Sequence, residues 1–121
     1  MNKALRVPDY LGHILEAIER IEEYVSDMDE MAFLASRLVQ DAVIRNIEII
    51  GEASNNILRV DPVFAAQHAE IPWQVMYAMR NRVSHGYDKV DFEMVWKTIH
   101  TDLPELHAQI KSVQSDADPV S

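Results

Sequence analysis

Between Met79 and Asp91 the chain reads MRNRVSHGYDKVD, a run holding Arg80, Asn81, Arg82, His85 and Tyr87 in an otherwise acidic protein. These residue types suit a metal-free attack on a phosphodiester. An imidazole titrates near neutrality, so His85 can take the proton from a ribose 2′-hydroxyl or return one to the leaving oxygen. A guanidinium offers a planar fork of donors to a phosphate that gains charge in the transition state, a role open to Arg80.

Spacing constrains how these groups can cooperate. On a helix, five residues separate Arg80 from His85 by about 7.5 Å of rise and roughly 140° of rotation. One chain would not easily place both on the same phosphate. Two copies related by a two-fold axis would supply a base, an acid and two guanidinium groups, so the geometry favours a composite site. Asn81 lies one turn before His85, where its amide can orient the imidazole. Tyr87 falls past Gly86, where the chain has left the helix, and its hydroxyl can point to solvent or a cleft. A plainer reading is also open: basic residues in a last helical turn complement the macrodipole, and a following glycine is ordinary capping. The residues alone do not decide between the two.

The elements that must hold this run are helical. Leu11, Ile14, Leu15, Ile18, Ile21 and Val25 recur at helical spacing over about Pro8–Val25, with SDMDE as the turn. A long second helix is expected from about Met31 to Val60, closed by Asp61-Pro62. A third is expected to start at Pro72 and run to His85, with Gly86 as its stop. The fourth opens on Asp91 as N-cap, with Val90 and Val95 placed to staple it. Its apolar residues Phe92, Val95, Ile99, Leu103, Leu106, Ile110 and Val113 keep the period, while Pro104 interrupts the helix and kinks it. The fold class is therefore all-α: an antiparallel helical bundle with a four-helix up-and-down core over residues 1–113, followed by a flexible tail over 114–121. Three wide apolar faces on 121 residues lead us to expect a homodimer.

Within the second helix, Asp41, Arg45, Glu48, Glu52 and Asn55 follow at spacings of 4, 3, 4 and 3 and form a narrow polar line. Two readings fit it. One is a solvated face with pairs such as Asp41–Arg45. The other is a stripe turned to a cleft or dimer axis, where Arg45 and the glutamates, Glu48 and Glu52, support a site. Gly51 sits mid-helix at a cost of about 1 kcal/mol relative to alanine, which points to close approach by another helix.

Composition narrows the remaining classes. The formal charge of −9 argues against a general nucleic-acid coat protein. Ile71–Val90 nevertheless carries Arg80, Arg82 and Lys89 against Asp88 alone, so a phosphate would be met there. With no cysteine there is no disulfide or thiolate metal site. His13, His68, His100 and His107 are scattered without a Glu-x-x-His partner, so no metal is expected. No cofactor is expected either. A phosphate-cradling glycine loop is lacking, and any ATP would be bound by a partner. Trp73, Tyr77 and Trp96 are assigned to packing. No signal-peptide run or apolar span of membrane length is present, and the expectation is a cytoplasmic protein without membrane contact.

Four segments in order, DAVIRNIEIIGEA, IPWQVMYAMRN, RNRVSHGY and VDFEMVWKTIHTDLPEL, resemble the HepT-like branch of the HEPN domain superfamily over about residues 8–111. The short motif reads as its R-x4-H-x-Y signature, with Arg80, His85 and Tyr87 on the motif positions and Asn81 at the polar position after the arginine. The resemblance implies an all-helical homodimer that acts as the toxin of a toxin–antitoxin pair. It further implies a metal-independent endoribonuclease whose active site spans the dimer interface. The implied partner is a small MNT-type nucleotidyltransferase that neutralises the toxin by transferring AMP from ATP to the motif tyrosine, here Tyr87. A bulky anionic adduct two residues from His85 would block the cleft and repel RNA. The alternative is a non-catalytic substrate-binding or regulatory subunit of a two-component nucleotidyltransferase.

Overall fold

The computed structural model describes residues 6–85 and 89–117, His85 in its backbone alone. Six helices follow in order: α1 (Val7–Val25), α2 (Glu30–Ala35), α3 (Arg37–Val60), α4 (Pro62–Gln67), α5 (Trp73–His85) and α6 (Phe92–Ala117). No strand occurs among the described residues. The four long helices form the bundle, and its centre is set by apolar periodicity. Leu11, Ile14, Ile18 and Ile21 on α1 are fully buried, as are Val43 and Ile57 on α3 and Ile110 on α6. Each such side chain contributes about 1.5–3 kcal/mol on leaving water. α3 packs against α1 on one side and α5 on the other, while α6 lies mainly on α1.

The expected long second helix is two. Ser36 adopts an extended conformation (φ −111°, ψ 97°) that ends α2, and its hydroxyl accepts the Val39 N–H at 3.2 Å to start α3. The Gln40 amide closes the joint by donating to the carbonyls of Phe33 and Leu34 at 3.0 and 3.1 Å. A serine that satisfies the first-turn donors of a new helix competes with continuation of the old one. Phe33 also draws α2 inward, stacking on Trp96 and Phe92 of α6 with ring centroids 5.3 and 6.2 Å away. Asp61-Pro62 does end α3, and it starts α4 as well: the Asp61 carboxylate accepts the Phe64 N–H at 2.9 Å, with Pro62 in the first turn. The Trp73 indole N–H then lies within reach of the Ala65 and His68 carbonyls, at 3.3 and 3.2 Å, and pins the entry to α5.

α6 begins as expected, with the Asp91 carboxylate accepting from the Met94 N–H at 3.1 Å. It continues unbroken through Pro104, so the proline does not interrupt it. It also runs past Val113 to Ala117, taking up four residues that the sequence reading gave to the tail. Packing accounts for the extension: Val113 is buried, Ala117 sits against the core, and Asp116 lies 3.9 Å from His68. No described helix is long and apolar enough to cross a membrane.

Candidate functional site

α3 and α5 run antiparallel, as three cross-helix pairs show: Glu48 with Ser84, Glu52 with Arg80, and Ser54 with Met76. Gly51 lets them approach. A β-carbon built there would fall 2.2 Å from the Arg80 Cβ and 2.9 Å from the Met76 carbonyl oxygen. Real side chains never approach so closely, so glycine is required at this crossing.

Arg80 is held from both sides at that crossing. Its Nη2 donates to Glu52 Oε1 at 3.1 Å and its Nη1 to Asn81 Oδ1 at 3.0 Å. The Nε is buried without a hydrogen-bond partner among the described residues. A guanidinium carries five N–H donors. Two are used, the one on Nε is inaccessible, and each Nη atom keeps one more hydrogen for an incoming anion. One turn further along, the Ser84 hydroxyl donates to Glu48 Oε2 at 2.5 Å, and Glu48 also lies 4.0 Å from Arg45.

The polar line of α3 therefore divides, and each sequence reading describes one half. Glu48 and Glu52 face α5 and hold the site's side chains. Asp41 and Arg45 are exposed, and Arg45 makes no ion pair or hydrogen bond to α5 among the described residues. The Asp41–Arg45 pair does not form, because Arg45 turns toward Glu48 instead. Asn55, at the end of the line, is half-buried. The Asn81 side-chain carbonyl accepts from the guanidinium of Arg80, while the expected contact of its amide with His85 lies outside the described residues. His85 ends α5, and its side chain lies outside the described residues. Tyr87 and Gly86 lie outside them entirely.

Ser84 is the contact that sequence reasoning passed over. The signal was available: Arg80 and Ser84 stand four apart on one helix, and Glu52 and Glu48 stand four apart on the other. Antiparallel helices with such matched pairs make rungs one turn apart. Of the aromatic residues given to packing, Trp73 is buried, while Trp96 and Tyr77 are half-buried. Trp96 stacks between Phe33 and His100, with ring centroids 5.3 and 4.1 Å away. Tyr77 sits one turn before Asn81 on the same flank as Arg80 and Ser84. Among the described residues no group of three or more His, Cys, Asp or Glu could hold a metal ion.

Comparison with known proteins identifies the family of this chain. Residues 14–113 match the family described as "Ribonuclease HepT-like". The chain is 43% identical over 106 residues to "Probable ribonuclease HepT" of Thermococcus cleftensis, covering 88% of this chain and 94% of that relative. It is 40% identical over 119 residues to "Gamma-glutamylcyclotransferase and putative RNase" of Methanocaldococcus jannaschii. That alignment covers 98% of this chain and 51% of the relative, so the chain spans about half the length of that protein. No solved structure matches significantly. With a family match that takes in most of its length, the chain belongs to the HepT-like ribonucleases.

Proposed function

We propose that this chain is a metal-independent endoribonuclease, the toxin of a toxin–antitoxin pair, working as a homodimer with a site shared between two copies. One observation carries the reading: Arg80 is fixed over Gly51 with two Nη hydrogens left for a phosphate. In the reaction, one histidine, His85, takes the proton of a ribose 2′-hydroxyl. The freed oxygen attacks the neighbouring phosphorus, and the bond from phosphorus to the 5′ oxygen breaks. A second imidazole, from the other copy, protonates that leaving oxygen, giving a 2′,3′-cyclic phosphate and a 5′-hydroxyl. Arg80 balances the charge that grows on the non-bridging oxygens. Glu52 and Asn81 keep the guanidinium in plane, and Arg45 completes the outer end of the polar line.

The uncovered apolar side chains near this line support the shared site. Leu38 continues it three residues before Asp41 and is 82% exposed, and Met31 on α2 is 80% exposed. A second copy would remove this surface from water. In this reading a cognate MNT-type nucleotidyltransferase silences the toxin by transferring AMP to the Tyr87 hydroxyl, with pyrophosphate leaving from ATP. The second reading, a non-catalytic subunit of a nucleotidyltransferase, draws on Glu48 and Glu52. Both carboxylates repel a polyanion, and Glu52 already occupies part of the Arg80 fork.

The test is RNA cleavage by purified protein in excess chelator. Loss of cutting in both Arg80→Ala and His85→Ala, each with its oligomer intact, is the expected result. Equal cutting by wild type and both variants would assign the activity to a contaminant. The silencing step is checked by mass after incubation with the partner and ATP: an adduct that persists in Tyr87→Phe refutes that site.

A further inference from the structure

On the side of α5 away from Ser84 and Asn81 lies a groove that the ribonuclease reading does not use. Its volume is about 320 Å³, within the range of ligand and peptide sites. Ile47 and Ile50 of α3, Met76 of α5, and Leu103 and Leu106 of α6 form an apolar floor. α5 and α6 flank it without packing closely on each other, since α5 rests on α3 and α6 on α1. At one end the Gln109 side chain donates to the Glu70 carbonyl at 3.2 Å and ties α6 to the start of α5.

The two walls differ in kind. Pro72, just before α5, and Val75 and Met79 on it form an apolar wall, and Val75 is 64% exposed. On α6, Thr98, Asp102, Glu105 and Gln109 follow at spacings of 4, 3 and 4, a straight polar wall. Eleven helical rises from Thr98 to Gln109 extend it for about 16 Å, or three turns. Asp102 and Glu105 are exposed and have no cationic partner among the described residues. Glu70 adds a third carboxylate, and no lysine or arginine among the described residues lines the groove.

We infer that this groove receives an amphipathic helix of a partner protein, about three turns long, whose apolar face meets Met76, Met79 and Leu106 and whose basic flank faces Asp102 and Glu105. The length follows from the polar wall, the apolar face from the floor, and the basic flank from the unpaired carboxylates. Helix-in-groove binding uses side chains at i, i+3, i+4 and i+7, which fits the antiparallel walls. RNA is a poor occupant because the carboxylates repel phosphate. A second copy is a poor one as well, because two acid-rimmed grooves brought together repel each other. The inference stands apart from the ribonuclease reading and from the Arg80 flank.

The probe is a synthetic amphipathic helical peptide with leucines on one face and lysines on its flanks, beside a twin with glutamates replacing the lysines. The readout is the methyl spectrum of the full-length protein labelled at its methionines, with the Met76 and Met79 signals identified through Met76→Leu and Met79→Leu. The lysine peptide is expected to shift both signals saturably while leaving the distant Met31 unmoved. The paired exposed substitutions Asp102→Asn and Glu105→Gln, checked for unchanged helicity, are expected to weaken binding about tenfold. Added salt should weaken wild-type binding alone. Three outcomes overturn the inference: no shift at Met76 or Met79 with the lysine peptide, equal binding of the glutamate twin, or shifts that follow protein concentration without peptide. The last would make a second copy the occupant.

Discussion

The thirteen residues of α5 present two flanks of opposite character to the same neighbour, α3. On one flank Arg80 and Ser84 donate to Glu52 and Glu48 at 3.1 and 2.5 Å, and Arg80 also donates to Asn81 at 3.0 Å. On the other, Val75, Met76 and Met79 open onto an apolar groove. The polar flank is positioned but weakly stabilised, because its ion pair is half-exposed: the Arg80 and Glu52 side chains are 28% and 51% accessible. Such a pair contributes about 0.5 kcal/mol. Burial of Trp73, Met76 and Val83 holds α5 down. Placement of the reactive groups thus depends on packing, while their chemistry depends on the polar rungs.

Substitutions can separate the two contributions. The largest effect should come from Arg80→Ala, which removes the proposed phosphate fork. Cleavage rate is expected to fall about 10²–10³-fold, with thermal stability nearly unchanged, measured by cleavage assays and calorimetry on the same samples. A large loss of stability would instead make the arginine a structural member. Gly51→Ala attacks both flanks at once, since the new methyl meets the Arg80 Cβ and the Met76 carbonyl. It should cost about 3 kcal/mol in urea unfolding and reduce cleavage with it. Leu106→Ala, in the groove floor, should cost a similar or slightly smaller amount, about 2–3 kcal/mol. It should leave the cleavage rate of the folded fraction intact. The smallest effect belongs to Glu52→Gln, worth about 0.5 kcal/mol in stability, with RNA bound about twofold tighter once the competing carboxylate is gone. Weaker binding in this variant would mean that Glu52 presents the arginine more than it masks it.

How much of this was legible beforehand varies by residue. The helices at Val7–Val25 and Trp73–His85 follow from periodicity and from Pro8 and Pro72, because local signals and tertiary packing agree there. Gly51 announced a close helix crossing by its cost alone, and the crossing is with Arg80. The break at Ser36 was hidden because MAFLASRLVQ keeps good helix formers on both sides. The pull of Phe33 toward Trp96, with the Ser36 cap and the Gln40 amide, makes the chain turn there. The end of α6 was hidden for a related reason. QSDA looks soluble and loop-like, yet Val113 and Ala117 find the core. The polar line of α3 was visible as a line, but its division was not. Where α5 ends along α3 is a tertiary fact, and it determines which carboxylates meet partners.

The missing side chain at Gly51 has a consequence for control of the protein. Because main chain and β-carbon are in contact there, α5 has no slack to slide or roll over α3, and Arg80 keeps one address whatever happens to its ion pair. Anything that switches this guanidinium off must therefore do so by occupation, with a competing anion, a bulky adduct or a covering surface. A conformational lever would first have to lift the whole helix off its seat.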